Sequence, residues 1–274
     1  MVSMSTQTVA PTADMEILES YECGKRIDGV FQAYVKVIVL HDGAYYIGKW
    51  KDRRQLPREF SQLEDAKIIH TENRGPELRA HWLQASPDSG RWLKTPAMED
   101  YLDSDLEARM AHEIEMCEFI RQHHHRNLAE YLGCCASQGR ATGLLFKRYK
   151  ATLLERVNPQ RLSKEAFIAS GRPLVTEYMK DWVSSLRAAL HHLHHLGLVH
   201  NDITPANIML DESDVPIIID FDGLCRTGES LQHTKRTMGW HDETVVHAAQ
   251  LNDTDAIAEL ETWLFGRVEN LKFA

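Results

Sequence analysis

The sequence predicts an α+β protein in which a strand-rich first half precedes a helix-rich second half. Apolar runs rich in β-branched and aromatic residues at 35–40 and 44–47 flank the turn His41-Asp42-Gly43, a pattern typical of a β-hairpin. Residues 105–123 and 174–196 carry apolar residues at three- and four-residue spacing, as amphipathic helices do. This order of elements favours a bilobal architecture.

Composition and charge exclude several classes of protein. The 274 residues are 43% hydrophobic and 26% charged, which is unlike a disordered, collagen-like or coiled-coil chain. The net charge of −9 argues against a general nucleic-acid binder. No apolar run approaches the roughly 20 residues of a membrane helix, so no membrane partner is expected. Five cysteines without CxxC spacing indicate a reducing compartment. We therefore expect a cytoplasmic protein, with the nucleus as the alternative.

Domain boundaries follow from the same patterns. We expect residues 1–20 to form a flexible tail, residues 21–146 the strand-rich lobe and residues 147–274 the helical lobe. Residues 51–90 show no clear pattern because charge clusters and prolines interrupt them, and the sequence leaves open whether residues 21–90 complete the first lobe or form a separate element. Shorter strands are expected at 92–94, 144–146, 208–210 and 215–219, and a last helix at 253–264.

One segment carries polar residues at a spacing that suits phosphoryl transfer. His200, Asp202 and Asn207 form the pattern H-x-D-x-x-x-x-N, and Asp220-Phe221 follows a run of isoleucines. A carboxylate near the attacking hydroxyl acts as base or orienter, a role that Asp202 suits. Mg²⁺ prefers carboxylate and amide oxygens, which Asp220 and Asn207 supply.

These motifs resemble those of the protein-kinase superfamily. The sequences HNDI-x-PxNIM and IDFD are most similar to degenerate kinase-like domains of filamentous fungi, and the resemblance covers about residues 91–266. It implies a bilobal kinase fold with a strand-rich N-lobe and a truncated helical C-lobe, because the chain ends about 20 residues after Asp253. It also implies ATP and Mg²⁺ as cofactors, Asp202 as base, Asn207 and Asp220 as metal ligands, and Thr237 as a support for Asp202.

The resemblance also requires a lysine on a strand and a glutamate on the next helix. Lys94 and Glu113 match these positions, where the lysine would bind the α- and β-phosphates and the glutamate would orient it. Glu113 is favoured over Glu115 because Met116, Cys117 and Ile120 follow it at the spacing of one helix face.

The sequence departs from the family pattern at several positions. No G-x-G-x-x-G precedes Lys94, and the bulky Trp92 stands where the family has a small residue over the adenine. Thr204 replaces a lysine of Ser/Thr kinases, and Asn201 replaces an arginine. Asp222 replaces the glycine of D-F-G, where its carboxylate would bind metal or restrict the turn.

Three functions are compatible with these observations. The first is an ATP- and Mg²⁺-dependent protein kinase that transfers phosphate to serine or threonine of a protein substrate. The second is a pseudokinase that binds a protein partner, suggested by Trp92 and the missing glycine loop. The third is a small-molecule kinase of the choline or aminoglycoside type, whose loops also read H-x-D and I-D-F-D.

Overall fold

The computed structural model describes residues 15–27, 30–232 and 234–273. They form two compact units. One contains the described residues up to Arg74 together with Pro96–Leu106, and the other contains Gly75–Thr95 and the chain from Glu107 onward. Strands and helices are both present, which confirms the predicted α+β class.

The first unit is built on a four-stranded antiparallel sheet. Its strands are β1 (Glu16–Ile27), β2 (Val30–His41), β3 (Ala44–Trp50) and β4 (Glu64–Ile69), in that order across the sheet. Asp42 and Gly43 join β2 to β3 with φ values of 48° and 75°, the left-handed pair that a two-residue hairpin needs. The predicted hairpin is thus confirmed.

The sheet begins earlier in the chain than the sequence predicts. β1 begins at Glu16, within the segment expected to be a tail, and residues 1–14 of that segment lie outside the described residues. Val35, Val37 and Val39 are buried on one face of the sheet, and Ile38 is buried on the other. Both faces are therefore covered within this unit, in part by the 3₁₀ helices Phe60–Gln62 and Met98–Leu102.

The second unit contains a three-stranded antiparallel sheet and one long helix packed beside it. The strands are β5 (Arg91–Lys94), β6 (Tyr131–Ser137) and β7 (Arg140–Lys147), in the order β5-β7-β6, and the helix is α1 (Leu106–Gln122). Among the described strands, β5 pairs only with β7.

The rest of the second unit is mainly helical. Its helices are α2 (Leu153–Val157), α3 (Lys164–Ala169), α4 (Met179–His195), α5 (Gln250–Phe265) and a final 3₁₀ turn, Val268–Asn270. Short strands support the loops between them: β8 (Ala151–Thr152), β9 (Leu198–Val199), β10 (Ile208–Leu210), β11 (Pro216–Ile218) and β12 (Cys225–Arg226). One continuous core includes Phe167, Leu186, Leu193, Phe221 and Trp263.

The start of α4 differs from the sequence-based prediction, which placed it at residue 174. Val175 donates its backbone N–H to the carbonyl of Arg172, with Pro173 at the position that favours a β-turn. The helix therefore begins only at Met179. Among the described residues, no helix has the length and apolar character that crossing a bilayer requires.

Candidate functional site

Lys94, the last residue of β5, lies at the centre of a cluster of three carboxylates. Its Nζ is 2.6 Å from Glu113 Oε1, 2.6 Å from Asp220 Oδ1 and 2.7 Å from Asp222 Oδ1. The Lys94 side chain is 19% exposed and that of Glu113 is 7% exposed. Three segments far apart in sequence thus converge on one ammonium group.

The packing of α1 selects Glu113 for this cluster. Glu113 lies on the face of the helix that buries Ile114 and Cys117, so its carboxylate points towards β5. Glu115 lies on another flank, where it accepts hydrogen bonds from Arg79 and Trp82. The helical phase predicted from the sequence therefore indicated the glutamate that meets Lys94.

The charges of the cluster are strongly coupled. Burial alone would lower the pKa of Lys94, but the three carboxylates outweigh it and hold the pKa well above its usual value. Burial raises the pKa of Glu113 well above normal, with Asp222 adding to the rise and Lys94 opposing it. Desolvation raises the pKa of Asp222, but Lys94 and the hydrogen bond with Glu113 outweigh it, so the net shift is downward. The pKa values of Lys94 and Glu113 are therefore shifted upward and that of Asp222 downward.

A second group of hydrogen-bonded residues surrounds Asp202 in the loop after β9. The backbone N–H of Thr237 donates to Asp202 Oδ1 at 2.8 Å, and Thr237 Oγ1 donates to Oδ2 at 3.1 Å. Asn207 Nδ2 donates to Oδ2 at 2.8 Å and to the Asp202 carbonyl at 3.0 Å. These bonds fix the carboxylate and leave the amide oxygen of Asn207 as its ligating atom.

The loop that carries Asp202 is anchored by Asp253, a fully buried residue of α5. Asp253 accepts hydrogen bonds from the backbone N–H groups of His200 and Asn201, at 2.9 and 2.7 Å, and contacts His194 Nε2 at 2.8 Å. The sequence predicted a last helix that begins at Asp253 but did not indicate this contact. The sequence feature that could have indicated this contact is a carboxylate beside the apolar face of that helix.

Asn201 has a structural role in this loop. It adopts a left-handed φ of 66°, a conformation that asparagine tolerates. Its Nδ2 donates to the carbonyls of Val199 and Gly223, and its own carbonyl accepts from Arg236 Nε. Where the family pattern has an arginine, this chain therefore has a buried amide that ties adjacent loops together.

The turn that presents Asp220 requires close approach between two backbones. Asp220 has a φ of 65°, and His200 Nε2 lies 3.1 Å from the carbonyl of Ile219. A Cβ on Gly223 would stand 2.7 Å from the carbonyl oxygen of His200. Glycine at 223 therefore lets this turn pack against the loop that carries Asp202.

A cavity of about 390 Å³ opens beside Lys94 and Asp220. Besides Lys94 and Asp220, the residues that line it include the largely apolar side chains of Trp92, Phe146, Tyr149, Met209 and Ile219. The volume is in the range of small-molecule sites. Trp92 is 45% exposed and lies at the wall, 6.2 Å between ring centroids from Phe146. Trp92 therefore forms part of the wall and leaves the cavity open.

Comparison with protein families identifies the chain. The model of the protein kinase domain matches residues 94–254, more than half of the sequence. The chain belongs to the protein kinase family. The matched region begins at Lys94 and ends just after Asp253, so it contains the carboxylate cluster, the Asp202 loop and its anchor.

Several curated relatives are protein kinases. The DNA damage-responsive serine/threonine-protein kinase RqkA of Deinococcus radiodurans is 47% identical over 49 residues, 18% of this chain and 7% of the relative. The probable serine/threonine-protein kinase FPV226 of fowlpox virus is 30% identical over 135 residues, 46% of this chain and 41% of the relative. The calcium/calmodulin-dependent protein kinase kinase cmkC of Emericella nidulans is 23% identical over 197 residues, 70% and 33% of the two chains. The chain thus spans less than half the length of each of these kinases.

The oxygen atoms of the candidate site suit a hard divalent cation. Oxygen atoms of Glu113, Asp220 and Asp222 lie within 4.8 Å of one another, and Asn207 offers an amide oxygen. Carboxylate and amide oxygens are ligands that Mg²⁺ accepts. The residues present therefore fit the cation that protein kinases use, although Lys94 shares the same carboxylates.

Proposed function

We propose that this protein is an ATP- and Mg²⁺-dependent protein kinase that phosphorylates serine or threonine in a protein substrate. The observation that carries the proposal is the Lys94 cluster, in which one lysine contacts both the helix glutamate Glu113 and the turn aspartate Asp220. Active protein kinases require the lysine–glutamate ion pair, together with a turn aspartate close enough to hold Mg²⁺ at the same site.

Each residue has a distinct role in this proposal. Lys94 binds the α- and β-phosphates of the nucleotide, and Glu113 holds the lysine in position. Asn207 and Asp220 hold Mg²⁺, which neutralises phosphate charge when bound. Asp202 orients the substrate hydroxyl and accepts its proton, while Thr237 and Asn207 fix the carboxylate by the hydrogen bonds described above.

The class of substrate rests on the relatives. Those described above by name as serine/threonine kinases support a hydroxyl of serine or threonine as the acceptor. The net charge of −9 favours a protein over a nucleic acid as partner. Four of the five free cysteines are buried, which supports a reducing compartment such as the cytoplasm.

The test is phosphate transfer from γ-labelled ATP to a mixed peptide library and to the protein itself. We expect Asp202→Asn to reduce transfer by about a hundredfold or more, because the base is lost, while the thermal midpoint stays close to that of wild type. Asp214→Asn is the matched control, because Asp214 lies in the β10–β11 turn with a φ of 58° that asparagine tolerates. Equal transfer by wild type and Asp202→Asn would refute the proposal.

A second candidate is a kinase-like binding module that does not transfer phosphate. Two observations favour it. Asp222 accepts a hydrogen bond from the Lys94 ammonium group that nucleotide phosphates would need. In addition, β5 pairs with no strand other than β7 among the described strands. Wild-type protein that binds ATP but transfers no phosphate to either acceptor would support this candidate.

A further inference from the structure

Asp222 completes the hydrogen bonding of Lys94. A lysine ammonium has three N–H donors, and three carboxylate oxygens lie within 2.7 Å of the Lys94 nitrogen. No donor of this group therefore remains for a further ligand. A phosphate that binds Lys94 has to displace one of the three carboxylates.

The three carboxylates differ in how readily they can leave. The Glu113 side chain lies on the buried face of α1 and is 7% exposed. The side chains of Asp220 and Asp222 are 35% and 42% exposed. Removing Glu113 from Lys94 would leave a buried group without its partner, which is costly. Asp222 is the most exposed of the three, and the positive charge of Lys235 also attracts it. It is therefore the carboxylate that a ligand displaces most readily.

From this geometry we propose that Asp222 competes with nucleotide phosphate for Lys94 and so makes nucleotide affinity depend on a divalent cation. The inference rests on the proposed function, since it takes the cavity beside Lys94 as the nucleotide site. Without a cation, a phosphate that displaces Asp222 lies beside two exposed carboxylates of its own sign. With a cation, that repulsion is neutralised. Asp222 is a specificity-determining residue that disfavours metal-free nucleotide.

The experiment is calorimetric titration of the full chain with ATP, first in EDTA and then in excess Mg²⁺. The proteins are wild type, Asp222→Asn, Asp222→Gly and the control Asp214→Asn. We expect Asp222→Asn and Asp222→Gly to bind metal-free ATP about tenfold or more tightly than wild type, because a charged hydrogen bond no longer has to be broken. The affinity gained by adding Mg²⁺ should shrink accordingly, and Asp214→Asn should behave as wild type.

The outcomes separate this inference from the proposed function. If both Asp222 variants bind metal-free ATP no better than wild type, or if neither binds it at all, the inference is overturned. If they gain affinity while wild type transfers no phosphate to any acceptor, the inference stands and the proposed function fails. If Asp202→Asn abolishes transfer but the Asp222 variants match wild type in EDTA, the proposed function stands and the inference fails.

Discussion

Two partly buried lysines of the kinase domain have different electrostatic environments. Lys94 meets three carboxylates at the edge of a cavity. Lys164, the first residue of α3, has one carboxylate partner, the fully buried Glu259. It also donates to the carbonyls of Gly239 and Phe273, and its Nζ lies 4.2 Å from the ring centroid of Trp240.

The two pKa values show what this difference means. Burial lowers the pKa of Lys164, and Glu259 does not fully compensate. Burial acts on Lys94 in the same direction, but excess carboxylate raises its pKa well above normal. A lysine that contacts three carboxylates remains paired with carboxylate when a ligand replaces one of them. A lysine enclosed by one acid, carbonyls and an aromatic ring is suited to holding structure together.

The largest effect is expected when the Lys164 partnership is broken. Lys164→Met leaves Glu259 buried without its cation, so the free energy of unfolding should fall by about 3–5 kcal/mol. Urea denaturation followed by circular dichroism measures this. The control is Lys180→Met, whose exposed partner Glu177 contributes at most about 1 kcal/mol. A similar small loss for both variants would contradict a structural role for Lys164.

A smaller effect is expected when the acid is neutralised as well. In Lys164→Met/Glu259→Gln, the single glutamine oxygen still accepts one of the two backbone hydrogen bonds that Lys272 and Phe273 donate to different oxygens of Glu259. The double variant should therefore recover about 1–3 kcal/mol of the loss, because no unpaired charge stays buried. The same urea measurement checks it. A double variant less stable than Lys164→Met would show that the buried charge is not the cause.

A third prediction concerns pH and the Lys94 cluster. The pKa of Glu113 is raised in the folded protein, so its stabilising contribution is fully present below about pH 4.5 and is lost as pH rises through the folded pKa. Glu113→Gln cannot lose a proton and should show a flatter decline in unfolding free energy above pH 4.5. The difference in unfolding free energy between the two proteins builds up gradually from the unfolded-state pKa of Glu113 to its folded-state pKa, so it is modest at any single pH in this range. Parallel pH profiles for wild type and variant would contradict the raised pKa.

The sequence predicted the parts of the site that lie in short motifs. His200, Asp202 and Asn207 occupy one loop, so their proximity follows from spacing. The phase of α1 distinguished Glu113 from Glu115, because one helix face is defined by a few neighbouring residues. The helices at 106–122 and 250–265 were predicted to within three residues for the same reason.

The parts that the sequence did not predict depend on contacts between distant segments. The sequence left Asp222 open between binding metal and restricting its turn, and only the structure places it on Lys94, 128 positions away. Lys164 and Glu259 are 95 positions apart and belong to no motif. The hairpin at 35–47 was predicted from two apolar runs that flank a turn, whereas its pairing with β1 and β4 was not, since sheet partners are chosen by packing.

The central claim is that the Lys94 cluster is a nucleotide site, whereas Lys164 has a structural role. Calorimetric titration of wild type and Lys94→Met with ATP in excess Mg²⁺ tests it most directly, with Lys180→Met as control. The account predicts that wild type and Lys180→Met bind alike and that Lys94→Met binds at least about tenfold more weakly, because the phosphates lose a charged hydrogen bond. Equal affinity for wild type and Lys94→Met, with both proteins folded, would contradict it.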